Sequence, residues 1–427
     1  MAEARTRPAW AEVDLGAVRH NTALLRRRAA PATVCAVVKA DGYGHGAPAV
    51  ARAAIEGGAA RLAVATVEEG VELRETGIAQ PVLLLSEPPP DAAEAVVAGR
   101  LTPTVCSMEA VARLGAAARR LGARLAVHVK VDTGMHRLGA QLDGIPSLVA
   151  AVSAEPALHL EGLWTHLSVA DGTSAEDRAY TAAQLARFEA AVAALPSRPR
   201  LLHAANSAAA LQFPASHYDL VRCGIALYGV PPAPDLGGPP AGPPGADGPL
   251  GADGPAGTGR DGATEGAAGS DGAGADRLRP ALSLRARVVA VRELDAGERP
   301  SYGRLRPLPE RSVVATVPIG YADGVPRRLF GAGFTVLVRG ERRPLAGMVT
   351  MDQIVVDCGP GSPVAPGDEV TLLGRQGDEE VTATEWADLL GTIGYEILCG
   401  IGPRVPRIYT GEVPAGWRSS PARGVAP

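Results

Sequence analysis

Between residues 33 and 229 the chain repeats one pattern: a short apolar run, then a stretch with helical spacing. The runs read TVCAVVKA, RLAVATV, PVLLLS, RLAVHVKVD, LHLEGLWTHL, LLHAANS and DLVRCGIALYG. Between them lie Ala/Arg/Glu-rich segments such as EEGVELRETG and MEAVARLGAAARRL. Strands separated by helices pair in parallel, because a parallel pair needs a crossover and the helix supplies it. About 215 residues of this repetition suit one closed (β/α)8 barrel. A doubly wound open sheet is the competing architecture, but no GxGxxG follows the first run.

The repetition stops at residues 231–276, where 14 Gly and 9 Pro make up half of the segment. Its only large apolar residues are Leu236 and Leu250, and its seven acids against one Arg give it a net charge of −6. Such a stretch cannot bury enough surface to offset its ordering entropy, so it is expected to be a disordered surface insertion. Beyond it, SLRARVVAVREL, SVVATVPIGYA, FTVLVRGERRPLAG and DEVTLLGRQG are β-rich with Gly turns, and TATEWADLLGTIGYEILCGI is a helix candidate. The predicted fold class is therefore α/β: an N-terminal TIM barrel over 1–230, the insertion over 231–277, and a mainly antiparallel β domain over 278–427. The first dozen residues, roughly, read as a strand free to join the second domain.

Charge and composition exclude several functions. A net charge of −4 with 4% aromatic residues leaves no electrostatic footprint for nucleic acid. No apolar run reaches the ~18 residues of a membrane span, and MAEARTRPAWAEVDL has no signal-peptide core. The five cysteines, at 35, 106, 223, 358 and 399, are odd in number and lack CxxC spacing. Reduced thiols in a cytoplasmic protein without structural zinc are expected.

The basic residues are forty arginines and two lysines, Lys39 and Lys130. A coding bias toward Arg leaves two amines where a guanidinium has no equivalent chemistry. Strand alternation puts Cys35, Val37 and Lys39 on one face, ahead of a turn-forming DGYGHG. A lysine at the C-terminal end of a barrel strand is a candidate Schiff-base nucleophile, the plain alternative being a charged strand end. In RLAVHVKVDTGMHRLG, Val127, Val129 and Val131 share one face, and His128, Lys130 and Asp132 point into the lumen. A buried ammonium there must be neutral, paired with Asp132, or chemically modified.

The motifs AVVKADGYGHGA, KVDTGMHRLG, GLWTHLS, HAANSAAAL, DLVRCGIALYG, SYGR, IGYADGVPR, MVTMDQIVVD and YEILCGIGPRVPR together resemble bacterial alanine racemase. They occur in that family's order and span nearly the whole chain except the insertion. The resemblance implies a pyridoxal 5'-phosphate (PLP) enzyme that interconverts L- and D-alanine by a two-base mechanism and supplies D-alanine for peptidoglycan. Lys39 matches the lysine that holds PLP as a Schiff base and acts on the D-alanine face, and Tyr302 the tyrosine that acts on L-alanine. A tyrosine can serve so only with cationic neighbours, its ordinary pKa being near 10. His166 and Arg137 match the residues around that phenol, and Arg137 also steers the substrate carboxylate. Lys130 corresponds to a lysine that reacts with CO2 in many members, giving a carbamate that orients Arg137. Arg222 matches the arginine facing the pyridine nitrogen, where it keeps that nitrogen unprotonated.

For the phosphate, the resemblance implies a site among Tyr43, Asn206, Ser207, Gly224, Ile225 and Tyr395. Tyr302, Tyr321, Met351 and Asp352 are implied to enter the active site of the partner subunit, so a homodimer is required. Met351 is placed near the substrate carboxylate, while Tyr321 and Tyr395 narrow the mouth of the site. No metal is implied. Two positions depart from the family pattern: Pro300 replaces an apolar non-proline residue, and Thr350 a small one. The alternatives are a related racemase preferring serine or broader substrates, and a non-catalytic PLP carrier, which lacks the second domain.

Overall fold

The computed structural model describes residues 7–233, 236 and 276–411. The expected disorder of the insertion lies outside the described residues, apart from the two ends of that segment.

Strand β1 (Ala9–Asp14) is followed by eight parallel strands: β2 (Thr33–Val37), β3 (Arg61–Val64), β4 (Val82–Leu84), β5 (Thr104–Val105), β6 (Leu125–Lys130), β7 (Leu158–Trp164), β8 (Leu201–His203) and β9 (Leu220–Cys223). Their ladders run β4-β3-β2-β9 and β5-β6-β7-β8. Backbone bonds close both seams: Leu84 N–H to Thr102 O and Thr102 N–H to Val82 O on one side, Asp219 N–H to Leu202 O and Arg222 N–H to Ala205 O on the other. An open sheet would leave edge groups unpaired at those seams. The ring is a (β/α)8 barrel. Every residue of β3, β4 and β9 is buried, because one face meets the lumen and the other the helices.

The helices begin where side chains can cap them. Thr66 and Glu69 form a capping box on helix Val67–Glu75, and Ser174 and Asp177 form another on Ala175–Ala193. Ser107 caps Met108–Arg120 through the Ala110 N–H.

The second domain contains β10 (Leu282–Arg287), β11 (Ala290–Leu294), β12 (Ser312–Val317), β13 (Thr335–Val338), β14 (Glu341–Pro344), β15 (Ile354–Asp357), β16 (Glu369–Gln376), β17 (Glu379–Val381) and β18 (Arg407–Thr410). A seven-stranded sheet runs β14-β13-β16-β10-β1-β18 with β17 on β16, and a smaller one runs β11-β12-β15. Pairing is antiparallel except between β1 and β18. The first strand of the chain thus sits in the last sheet. Under that sheet, Trp386 is fully buried, bonded through Nε1 to Leu372 O (3.1 Å) and met edge-on by Phe334.

Both ends of the insertion meet one residue. Asn21, fully buried, donates to Leu227 O (3.0 Å) and Arg279 O (2.8 Å) and accepts from Arg279 N–H (2.8 Å). Gly229, at φ +79°, passes so close that a Cβ would lie 1.8 Å from Arg279 O. The outgoing and returning chains are stapled side by side on Asn21. Replacing 234–275 by a short Gly/Ser bridge is expected to hold the thermal midpoint within about 4 °C, since closure entropy changes slowly with length. A calorimetric loss of roughly 10 °C or more would show that the segment supports the fold.

Candidate active site

The reactive side chains gather at the C-terminal ends of the barrel strands, the face where barrel sites form. Lys39 lies two residues past β2, which ends at Val37, so the strand is shorter than its apolar run suggests. The chain there enters a left-handed turn, with φ of 52° at Ala40, 51° at Asp41, 62° at Gly42 and 53° at Tyr43. That hand costs roughly 1–2 kcal/mol for each non-glycine residue, so the surroundings must hold it. Gly42 N–H donates to Val38 O and Gly44 N–H to Ala40 O, each at 2.9 Å. Asp41 Oδ1 accepts from Ala47 N–H at 2.8 Å. The Lys39 amine is held below its ordinary pKa, by burial first and by the charge of Arg137, against the opposing pull of Glu69 and Cys399.

Arg222, on β9 beside Cys35 of β2, is buried in the lumen. It donates to Thr165 O (2.9 Å), Ala204 O (3.0 Å), His203 Nδ1 (2.9 Å) and His166 Nδ1 (3.1 Å). Burial lowers its pKa only to about 10, so it stays charged near neutrality. Because Arg222 donates to His203 Nδ1, the remaining proton of that ring is on Nε2, 2.8 Å from His128 Nδ1. His128 then donates from Nε2 to Glu161 (3.1 Å), and Arg61 clamps the other side of Glu161 at 2.9 and 2.5 Å. Burial alone would raise the Glu161 pKa; bonds from His128 and Arg61 outweigh it and bring it to about 2. Both histidines are kept neutral, by burial first. A single polarised chain therefore crosses the lumen and backs the Arg222 guanidinium.

Lys130 ends β6, 3% exposed, with Nζ 4.5 Å from the centre of the Trp164 ring. It does not pair with Asp132, whose Oδ1 accepts from Gly134 and His136 N–H in the following loop. Burial first and then Arg222 push the Lys130 amine down to about 8. His166 is lowered well below the ordinary range by burial and by four cations, Arg222, Lys130, Arg137 and Lys39. Among the described residues, none of those four has a carboxylate within ion-pairing distance. The pocket is built for anions.

An anion cradle lies beside it. Asn206 caps helix Ser207–Gln212 by accepting from Ala209 N–H (3.0 Å), and Ser207 Oγ accepts from Gly224 N–H (2.9 Å). A Cβ on Gly224 would lie 2.3 Å from Tyr43 Oη, so only glycine lets that hydroxyl approach. Ile225 is buried behind Gly224, and the Tyr395 ring stands 6.1 Å from that of Tyr43. An amine, hydroxyls at a helix N-terminus and a guanidinium without a carboxylate suit the aldehyde, phosphate and pyridine nitrogen of PLP respectively.

Tyr302, Tyr321 and Met351 face outward from the second domain, 73%, 42% and 51% exposed, whereas Lys39 and Tyr43 sit in the barrel mouth. Ser301 (φ 68°) bonds Met348 O at 2.7 Å, so the Tyr302 turn is anchored despite Pro300. The Thr350 hydroxyl closes its own turn, donating to Gln353 O and accepting from Gln353 N–H, which accounts for that departure. Tyr321 N–H bonds Thr350 O and Ala322 N–H bonds Met351 O, joining the two loops. Asp352 accepts from Arg404 at 2.6 Å. Beneath them Asp323, fully buried, accepts from Arg7 at 2.6 and 2.5 Å. Sequence reading missed Arg7, Arg61, Glu69, Glu161, His203, Asp323 and Arg407. The signal for some was there: Glu161 and His203 are polar residues inside apolar strand runs, as is His128, which the alternation did place in the lumen.

Residues 13–232 match the family described as alanine racemase, N-terminal domain, and residues 281–409 the alanine racemase, C-terminal domain. The alanine racemase of Symbiobacterium thermophilum is 45% identical over 95% of this chain and 98% of its own length. That of Desulfovibrio desulfuricans is 40% identical over 94% and 98%. Among solved structures, the alanine racemase from E. faecalis superposes with a TM-score of 0.80 at 35% identity, covering 96% of this chain and 100% of that one. The histidine racemase from Leuconostoc mesenteroides subsp. sake also superposes at 0.80, at 28% identity over 96% and 100%.

Proposed function

The chain belongs to the alanine racemase family, and from that premise we propose how its residues share the interconversion of L- and D-alanine. The activity is that of a PLP-dependent isomerase, whose D-alanine serves peptidoglycan synthesis. The observation that carries the assignment of the site is the convergence of Lys39, Lys130, Arg137 and Arg222 on His166 without a carboxylate. Such a pocket receives a substrate carboxylate and lowers the cost of a phenolate beside it.

Bound here, PLP supplies the electron sink that makes an amino-acid α-proton removable. Lys39 would hold the cofactor, and its amine is the group that takes or returns the proton on the D-alanine face. Arg137 receives the substrate carboxylate; its guanidinium has no hydrogen-bond partner among the described residues. Arg222, fixed by two carbonyls and two histidines, is the guanidinium that would face the pyridine nitrogen and leave it without a proton. Tyr43, Asn206, Ser207, Gly224, Ile225 and Tyr395 take the phosphate end.

The proton on the L-alanine face is moved by the partner subunit's Tyr302, with the partner's Tyr321, Met351 and Asp352 closing the pocket. The exposure of those side chains in one chain supports a homodimer with shared sites. A cytoplasmic location is supported by five free cysteines and by the absence, among the described residues, of a helix long and apolar enough to cross a membrane.

Lys130 is read as a carbamate site. With its pKa near 8, about a tenth of the amine is neutral at pH 7 and about half at pH 8. The neutral nitrogen attacks CO2, an N–C bond forms and a proton leaves, turning a lumen cation into an anion that orients Arg137. Carbon-13 NMR with labelled bicarbonate is expected to show a carbamate whose occupancy rises from pH 7 to 9 and is lost in Lys130→Arg. No signal at pH 9 in excess bicarbonate overturns the reading.

The histidine racemase on the same scaffold makes substrate choice the point to test. Competing L-alanine against L-serine, read through D-amino-acid oxidase, is expected to favour alanine by about tenfold or more. Equal turnover would replace the alanine assignment by a broader one.

A further inference from the structure

The turn that presents Lys39 is gripped from two sides by charged side chains outside the proposed chemistry. From the barrel, Glu69 Oε1 accepts from Ala40 N–H at 2.6 Å, the residue next to Lys39. Its other oxygen accepts from Ala65 N–H (2.8 Å) and Thr66 N–H (3.2 Å), anchoring the carboxylate to the loop after β3. From the second domain, Arg407 Nε donates to Gly44 O at 2.9 Å, and its other nitrogens hold Ile401 O, Gly402 O and Val405 O. Arg407 therefore ties the far end of the turn to the loop that follows helix Gly394–Gly400, which carries Tyr395. Four consecutive left-handed residues do not persist on their own preference.

We propose that Glu69 is a positioning residue for Lys39, holding the strained turn so that the amine meets both the cofactor and the substrate α-carbon. It acts through the backbone of Ala40, and Arg407 braces the opposite end. The proposal rests on the reading of Lys39 as cofactor anchor and D-face base.

The rival role is purely structural, because Glu69 also completes the capping box with Thr66. One substitution separates the two. Glutamine serves in a capping box as well as glutamate does, but it has one accepting oxygen. Glu69→Gln therefore keeps the cap bonds to Ala65 and Thr66 and loses the bond from Ala40, since an amide NH2 cannot accept.

Two measurements on the Glu69→Gln and Glu69→Ala proteins test this. The first is PLP titration of cofactor-free protein, followed by absorbance. Affinity is expected to fall about tenfold in Glu69→Gln, as for a lost charge-assisted bond, while its thermal midpoint stays at the wild-type value. The second is the primary isotope effect with α-deuterated D- and L-alanine. Misplacing Lys39 slows proton removal from D-alanine, so the D-side effect rises and the L-side effect does not. Wild-type cofactor affinity in Glu69→Gln, or isotope effects that change equally on both sides, overturns the proposal. If the Lys39→Ala protein, with Glu69 intact, still racemises, the Lys39 reading itself fails. The cofactor titration then still decides whether Glu69 shapes this turn.

Discussion

Lys39→Ala is expected to abolish covalent cofactor attachment and lower racemisation by at least about 10^4-fold, because one amine is both anchor and base. Borohydride reduction followed by peptide mapping reads the first effect. In wild-type protein the pyridoxyl label is expected on the peptide containing Lys39, and in the variant on none. Lys130, the only other lysine in the chain, serves as the internal control. Burial first, and with it the charge of Arg137, lowers the pKa of both amines, so reactivity alone does not separate the two. What separates them is place: Lys39 stands beside the cradle of Tyr43 and Gly224, Lys130 deep in the lumen over Trp164. Label on Lys130, or retained racemisation in Lys39→Ala, would overturn the assignment of the anchor.

Tyr302→Phe is expected to lower turnover by about 10^2- to 10^4-fold, the usual range for losing a general acid–base group. Its diagnostic use lies in mixing. If each site combines Lys39 of one subunit with Tyr302 of the other, a Lys39→Ala/Tyr302→Phe heterodimer has one doubly damaged site and one intact site. Random exchange makes half of the dimers heterodimers, so activity should recover to about a quarter of wild type from two nearly inactive parents. The 73% exposure of Tyr302 in the single chain is what this arrangement accounts for. Absence of recovery, with subunit exchange verified by a tag, would mean that both residues serve the same subunit's site.

Much of the barrel was legible because alternating strand and helix signals are local. The positions of Lys39 and Lys130 near strand ends followed from the same periodicity. The left-handed hand of the turn after Lys39 was not legible. DGYGHG announces a turn, but Ala40 and Asp41 adopt positive φ only because Glu69 and Arg407, 29 and 363 residues from their partners, hold the ends. Likewise WAEVD reads as a strand free to join the second domain, but nothing nearby names its partners there, β10 and β18. The Lys130–Asp132 pair offered by strand alternation did not form, since backbone N–H groups two and four residues beyond Asp132 took its carboxylate.

By itself the sequence determined the order of elements, the inward faces of the strands, the break at the insertion and, through its motifs, the family. Those features depend on spacings of a few residues, and side-chain direction follows backbone periodicity. Only the tertiary structure decided which charges meet. Arg61 reaches Glu161 across 100 residues and Arg7 reaches Asp323 across 316. Closure of the barrel and the register of its strands bring Arg222, Lys130, Arg137 and Lys39 around one histidine. The strength of those interactions depends on distance and burial, which chain separation does not encode.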